Sequence, residues 1–318
     1  MRLHRTKPAI LGVLSIIAAL SLTMLFSIPS SPTVSAHPFH LQRPQSGCCA
    51  VAYTHVATVS NTTANWTELD NKDTNNNPNA FVIATPNRTG RVVDNHPIAV
   101  WYDALAGKWA IFNQDWAALP IGAAFNVYAI QAFLSGGSQS AAILHVATSS
   151  NSKGNWTDID SPVTNNNPAA FVNVTLNWNP GGVGGVYDPH PLGAWYDVQA
   201  KKWAIFNEGS MDPIPVGAAF NLLLDTPGIN GVFLHTATTA NTSLDHTTID
   251  NAATNNHPKA IVLVTPNFNP QGKGGTYEAH NFGVFYNQIA GKWAIFNEDG
   301  ADMSANVSFD VLAVNVTS

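Results

Sequence analysis

The sequence predicts an all-β protein: three tandem copies of a six-stranded sandwich or barrel domain, each with an internal pseudo-two-fold repeat. Three observations lead there. The hexapeptide Lys-Trp-Ala-Ile-Phe-Asn occurs at residues 108–113, 202–207 and 292–297. Apolar runs of strand length, rich in β-branched and aromatic residues, alternate with Gly, Asn, Asp and Pro, and no sustained helical period follows residue 36. Charged residues make up only 11% of the chain, so Asn, Thr, Gly and Pro fill the polar positions, which suits turn-rich β structure.

Residues 1–36 read as a secretory signal peptide. Arg2, Arg5 and Lys7 form a basic start, Ala9 to Phe26 is an uncharged apolar run, and Val34-Ser35-Ala36 places small residues where signal peptidase cuts. The run is also at the short limit for a membrane span, so retention as an anchor is the competing reading. After cleavage the chain is expected to be extracellular and free of the membrane, because no second run of spanning length follows. Cleavage removes three of the 14 basic residues and none of the 20 acidic ones, leaving 11 against 20 and a net charge of −9. With no basic cluster, nucleic acid and anionic membrane surfaces are not expected partners, since both are held by concentrated positive charge. Residues 37–49 form a lead-in carrying Cys48 and Cys49. Neighbouring cysteines close only a strained ring, so the fold is expected to rest on its core.

The copies are placed at 50–133, 141–225 and 231–318. His55, His145 and His235 recur at intervals of 90, and Trp109, Trp203 and Trp293 at 94 and 90. The difference lies in one loop, shorter in the first copy ("NRTGRVVD") than in the second and third, which carry "GGVGG" and "GKGG". Within a copy, "NWTDIDSPVTNNNPAAF" and "KWAIFNEGSMDPIPVGAAF" share a Trp strand, a polar loop with Pro and a return at Ala-Ala-Phe. A six-bladed β-propeller is the alternative architecture. The tandem domains are preferred, because a blade needs four strands where each half offers three, and because "LSGGSQS" (134–140) separates the first two copies and not the halves. On a strand, Trp293 and Ile295 share one face and Ala294 and Phe296 the other, so the hexapeptide is expected to be a central strand covered on both sides.

Candidate chemistry sits in the loops. His96, His190 and His280 end the loop before a strand, in "DNHP", "DPHP" and "EAHN". Metal is not expected there, since a site needs three or four ligands and no Cys or Glu recurs beside them. The loops "DNKDTNNNP", "DSPVTNNNP" and "DNAATNNHP" offer one carboxylate each, too thin for calcium, and read as Asx-turns. Trp178 and Phe268 stand among Asn177 and Asn179, and Asn267 and Asn269, a combination of flat apolar face and amide donors that suits a sugar; Arg88 takes that place in the first copy. No placed pair of carboxylates or phosphate-cradling glycine loop is evident, so neither enzyme activity nor a cofactor is expected.

The run "NWNPGGVGGVYDPHPLGAWYD…KKWAIFNEGS…PVGAAFN" resembles a domain found in tandem in secreted bacterial proteins of uncharacterised function. The resemblance covers His55 to the C terminus and implies repetition and export, with no catalytic residues to transfer. The expected function is a secreted, non-catalytic binding or surface-interaction protein, with glycans or cell-surface polymers as first candidates through the repeated loops. A purely structural extracellular module and a metal-assisted hydrolase are the alternatives.

Overall fold

A computed structural model describes residues 50–131 and 139–315; the leader, the lead-in with Cys48 and Cys49, and residues 134–138 of the linker lie outside the described residues. The fold is all-β. The first repeat contributes β1 (Ala50–Val56), β2 (Thr62–Thr63), β3 (Trp66–Leu69), β4 (Phe81–Asn87), β5 (Ile98–Asp103), β6 (Lys108–Asn113) and β7 (Ala124–Ile130). The second contributes β8 (Ser140–Val146), β9 (Ser152–Lys153), β10 (Trp156–Asp158), β11 (Phe171–Leu176), β12 (Leu192–Asp197), β13 (Lys202–Asn207) and β14 (Ala219–Asp225). The third contributes β15 (Val232–Thr236), β16 (Thr242–Ser243), β17 (His246–Thr248), β18 (Ile261–Pro266), β19 (Phe282–Asn287), β20 (Lys292–Asn297) and β21 (Ser308–Val314). Each repeat thus gains one two-residue strand that periodicity is too short to reveal. Among the described residues no helix is long and apolar enough to cross a membrane.

Every repeat is a sandwich of two antiparallel sheets. One has three strands, ordered β1-β7-β4, β8-β14-β11 and β15-β21-β18; the other has four, ordered β2-β3-β6-β5, β9-β10-β13-β12 and β16-β17-β20-β19, and a single parallel bridge from β4 to β19 joins β1-β7-β4 and β19-β20-β17-β16 into one seven-stranded sheet. No sheet closes into a barrel, and each sheet draws strands from both halves of its repeat. In the first repeat the two sheets enclose Leu69, Val82, Val100, Trp109, Ile111 and Phe125 among others. The hexapeptide strand is central in its sheet, as alternation predicts. Its Trp is sealed in the core, with Trp109 and Trp203 at 0% exposure, and spends its polar atom on the turn below: the indole N–H donates to Asn77 O, Asn167 O and His257 O in the three copies. The first-strand histidines are core residues too. His55, His145 and His235 lie 2.7–2.8 Å from Thr67, Thr157 and Thr247, whose hydroxyls donate onward to Asn61, Asn151 and Asn241. The imidazole Nε2 must therefore be the donor, and burial holds each pKa down at about 4, keeping the ring neutral.

The described residues form one compact unit, because the sandwiches share a second core. The outer faces of the three-stranded sheets turn inward together, and Phe81, Ile83, Tyr128, Leu223, Leu263 and Leu312 meet there from all three repeats. The edge strands β4, β11 and β18 converge along this axis. An edge strand presents unpaired N–H and C=O groups, costly where water is excluded. Three threonines answer that cost. The hydroxyl of Thr175 accepts the N–H of Ala84 at 3.0 Å, Thr265 that of Val174 at 3.1 Å, and Thr85 that of Val264 at 3.2 Å. Next to them Asn126 donates to Val262 O and Asn221 to Val82 O, while in the third copy Asp310 accepts the N–H of Val172.

Short parallel bridges complete the ring. Val100 pairs with Asn177, Ala194 with Asn267, and Val284 with Asn87, so the third repeat bonds to the first as each bonds to the next.

Two stability tests follow from the axis. Replacing Thr175 by Val strands a buried N–H and should cost about 1–3 kcal/mol in denaturant unfolding, with Ser recovering part of it. Asp310 is fully buried, and burial raises its pKa from 3.8 to about 7. A raised folded-state pKa gives stability that is complete below the unfolded value and fades as pH climbs through 7. Asp310→Asn, which copies the other two repeats, should therefore unfold at higher temperature than the wild type at pH 8, with the gap closing near pH 4.

Candidate functional site

The inter-repeat junctions gather most of the residues singled out above. In the second and third copies the long glycine loop becomes a 3-10 turn, Pro180–Gly182 and Pro270–Gly272, laid across the preceding repeat. Gly182 and Gly272 have φ of +76° and +72°, and a Cβ there would press on the rings of Tyr102 and Tyr196, so glycine is needed both for the turn and for the approach. Asn179 clamps the neighbouring strand like a piece of backbone: its Oδ1 accepts the N–H of Tyr102 at 2.7 Å and its Nδ2 donates to Tyr102 O at 2.8 Å. Asn269 does the same to Tyr196, at 2.7 and 2.9 Å. Asn177 and Asn267 are buried and donate to Asn221 and Asp310. All four amides lie in the interior with their Nδ2 groups bonded within the protein, while the Oδ1 atoms of Asn177 and Asn267 are buried without a partner among the described residues. The expectation that they surround a ligand is corrected on that ground, since a donor already satisfied in the interior has nothing to offer a sugar.

The aromatic members remain half-open. Trp178 meets Tyr187 at 5.5 Å between ring centroids, tilted by 47°, and lies edge-on to Trp101 at 6.4 Å. Trp101 in turn meets Trp66 at 5.9 Å. At the next junction Phe268 stacks on Tyr277 at 4.5 Å and 34°, and Tyr277 is 56% exposed. These rings also supply the second cover of the hexapeptide strand: Tyr187 packs on Phe112, and Phe268 and Tyr277 on Phe206. The third junction has neither ring. There Arg88 places its guanidinium 5.3 Å over Phe296. Tyr187 and Tyr277 were legible as a recurrence at an interval of 90, but nothing local distinguishes them from core tyrosines.

His96, His190 and His280 stand at one end of the axis. His96 and His190 line a 70 Å³ cavity with Pro97, Pro191 and Glu298; His280 is represented there by its neighbour Asn281. Each histidine is held by a carboxylate. His96 Nδ1 donates to Asp115 at 2.7 Å, His280 Nδ1 to Asp299 at 2.7 Å, and His190 bonds Asp188 and Asp212 at 2.8 and 3.2 Å. Among the described residues no three His, Cys, Asp or Glu side chains are grouped to hold a metal ion. The Asx-turns are as read: Asn71 and Asn251 accept the N–H groups of Asp73 and Ala253, and Ser161 does the same for Val163; Asn75, Asn165 and Asn255 also donate to Asp70, Asp160 and Asp250, and the lysine opening each hexapeptide pairs with the same aspartates.

The residue after the hexapeptide is a latch that sequence reasoning missed. Gln114 accepts the N–H of Asp188 at 3.0 Å, Glu208 that of Glu278 at 3.2 Å, and Glu298 that of Asp94. Burial raises Glu208 to about 9, so that it is protonated at neutral pH, and drives Glu298 well above the ordinary carboxyl range. The same cause lifts Glu278 to about 7 and Asp94 to about 6.

These features define a class: a closed ring of three β-sandwiches with buried acids inside every junction and half-open aromatic pairs outside two of them. The profile of a domain of unknown function, DUF7452, matches residues 36–129, 107–212 and 195–313. The matches cover most of the chain, which belongs to that family, and they overlap across the segments bearing the hexapeptide. No curated protein and no solved structure matches it.

The latch yields a further test. Stability from Glu208 is complete below about 4.5, its model-peptide range, and is lost as pH rises toward 9. Glu208→Gln, copying Gln114, should raise the thermal midpoint at pH 9 and leave it unchanged near pH 4, read by calorimetry across that range.

Proposed function

We propose that this is a secreted, non-catalytic protein that binds neutral carbohydrate on the aromatic pairs at its first two junctions. The observation that carries the reading is the recurrence of one half-open ring pair, Trp178 with Tyr187 and Phe268 with Tyr277, on a single rigid body. Pyranose rings present C–H faces that settle on such surfaces, and two tethered weak sites gain by avidity. Export is supported by the basic, apolar and small-residue pattern of residues 1–36. A binding role in preference to hydrolysis is supported by the engagement of the most perturbed acids: Glu208, Glu298 and Asp310 each accept a backbone N–H from a neighbouring repeat, which accounts for their burial without a reaction. The net negative charge favours neutral over anionic polymers.

Glycan-array binding by the protein from His37 onward tests this. Binding should fall at least about tenfold in a Tyr187→Ala, Tyr277→Ala double variant that keeps the wild-type melting temperature, the equivalent of losing one good ring contact at each site. A blank array accompanied by self-association would instead support a structural extracellular module.

A further inference from the structure

The two ring pairs are not equivalent, and the difference is one residue. After β6 the chain turns through Asn113-Gln114-Asp115-Trp116-Ala117, and after β20 through Asn297-Glu298-Asp299-Gly300-Ala301. The turns match bond for bond. Trp116 N donates to Asn113 O at 3.2 Å and Gly300 N to Asn297 O at 3.1 Å. Asn113 and Asn297 donate to Ala117 O and Ala301 O, and the N–H groups of those alanines return to Asp115 and Asp299. The position demands a left-handed backbone: φ is +76° at Gly300 and +68° at Trp116. Glycine takes that conformation freely, whereas a bulky side chain takes it under strain. In the second copy the turn is one residue longer and puts Gly209 in the left-handed region, at +62°. The first copy thus keeps a tryptophan where the fold is satisfied by glycine, and leaves it 67% exposed. Strain retained at an exposed aromatic is the pattern of a functional site.

Trp116 also lies in register with the junction rings. Its centroid is 5.3 Å from that of Tyr187 at a tilt of 39°, and Tyr187 is 5.5 Å from Trp178 at 47°. The three rings make a fan whose steps are about the length of one sugar unit. Beside it stand Asp115 and His96, both partly exposed; His96 Nδ1 is spent on Asp115, and its Nε2 has no bonding partner among the described residues. Carboxylate and imidazole at the rim both provide acceptors for hydroxyl groups, the imidazole at Nε2 because its proton sits on Nδ1.

Resting on the carbohydrate reading above, we infer that the first junction is the principal site. Trp116, Tyr187 and Trp178 would hold a soluble, twisted single chain of neutral hexopyranose units, one unit per ring. Successive rings turned by 39–47° cannot lie together on a flat crystalline polysaccharide surface, but they follow a chain that rotates from unit to unit. The fan is built from aromatic rings without an aliphatic groove, so it fits sugar faces in preference to an acyl chain or an amphipathic helix.

Calorimetric titration with soluble neutral polysaccharides, alongside pull-down on insoluble crystalline ones, tests the inference. Trp116→Gly should weaken soluble-chain binding by about tenfold or more while lowering the melting temperature by no more than about 2 °C, and Trp116→Tyr should recover most of the affinity. Binding unchanged in Trp116→Gly would overturn the assignment and leave the carbohydrate reading standing, as would a loss confined to Tyr277→Ala. Preference for the crystalline form would overturn the ligand class. A Trp116→Gly protein that unfolds early would make the residue a structural clamp and overturn the site. A wild-type protein that binds no polysaccharide would remove the carbohydrate reading itself.

Discussion

The structure depends on how three strand edges meet where water cannot reach them. β4, β11 and β18 each lie at the edge of a three-stranded sheet, and each turns its open side toward the axis. Ladder pairing cannot satisfy three edges converging on one line. Side chains do it instead, with Thr85, Thr175 and Thr265 each bonding the preceding repeat's strand in rotation. Any one repeat alone would expose an apolar face and an unsatisfied edge. The covering of both is a property of the ring, which is why three sandwiches form one compact unit.

The hexapeptide serves that ring from end to end. Its Lys pins the Asx-turn through the loop aspartate, its Trp fills the sandwich core, and its Ile lies in the same core. Its Phe faces out and is covered by the following repeat. Its Asn folds the turn beyond, and in the first two copies also donates to the buried Asp94 or Asp188. The residue just after it latches the next repeat's loop. Six residues that perform so many structural tasks account for their triple occurrence without any chemistry.

Function is better sought where the three-fold pattern breaks. The latch reads Gln, Glu, Glu; the axial amide reads Asn, Asn, Asp; the junction aromatic reads Arg, Trp, Phe; and a glycine turn holds Trp116 in one copy. The first two changes exchange neutral groups for buried acids: the latch keeps its bond, the axial bond reverses because Asp310 accepts where Asn126 and Asn221 donate, and both places gain a pH dependence. The last two alter what the surface presents. They leave the fold intact and make the junctions chemically different, one with three open rings, one with two and one with a cation over Phe296.

The all-β class, the three copies and the central strand were legible, because alternation with a period of two and self-similarity at about 90 residues are local or one-dimensional properties. The buried Trp109, Trp203 and Trp293 and the Asx-turns could be read for the same reason. The candidate site was legible only in part. Trp178 and Phe268 were found by their odd setting among Asn, Pro and Gly, but the same setting misassigned Asn177, Asn179, Asn267 and Asn269. Whether an amide is free or spent depends on a strand some 75 residues away, as Asn179 and Tyr102 illustrate. Trp116 looked unremarkable until its φ and its contact with Tyr187 were known. By itself the sequence determined the module, its number and its strands, since those follow from the order of side chains along one chain. Only the tertiary structure decided which surfaces close on each other and which stay open, since that depends on groups brought together from different repeats.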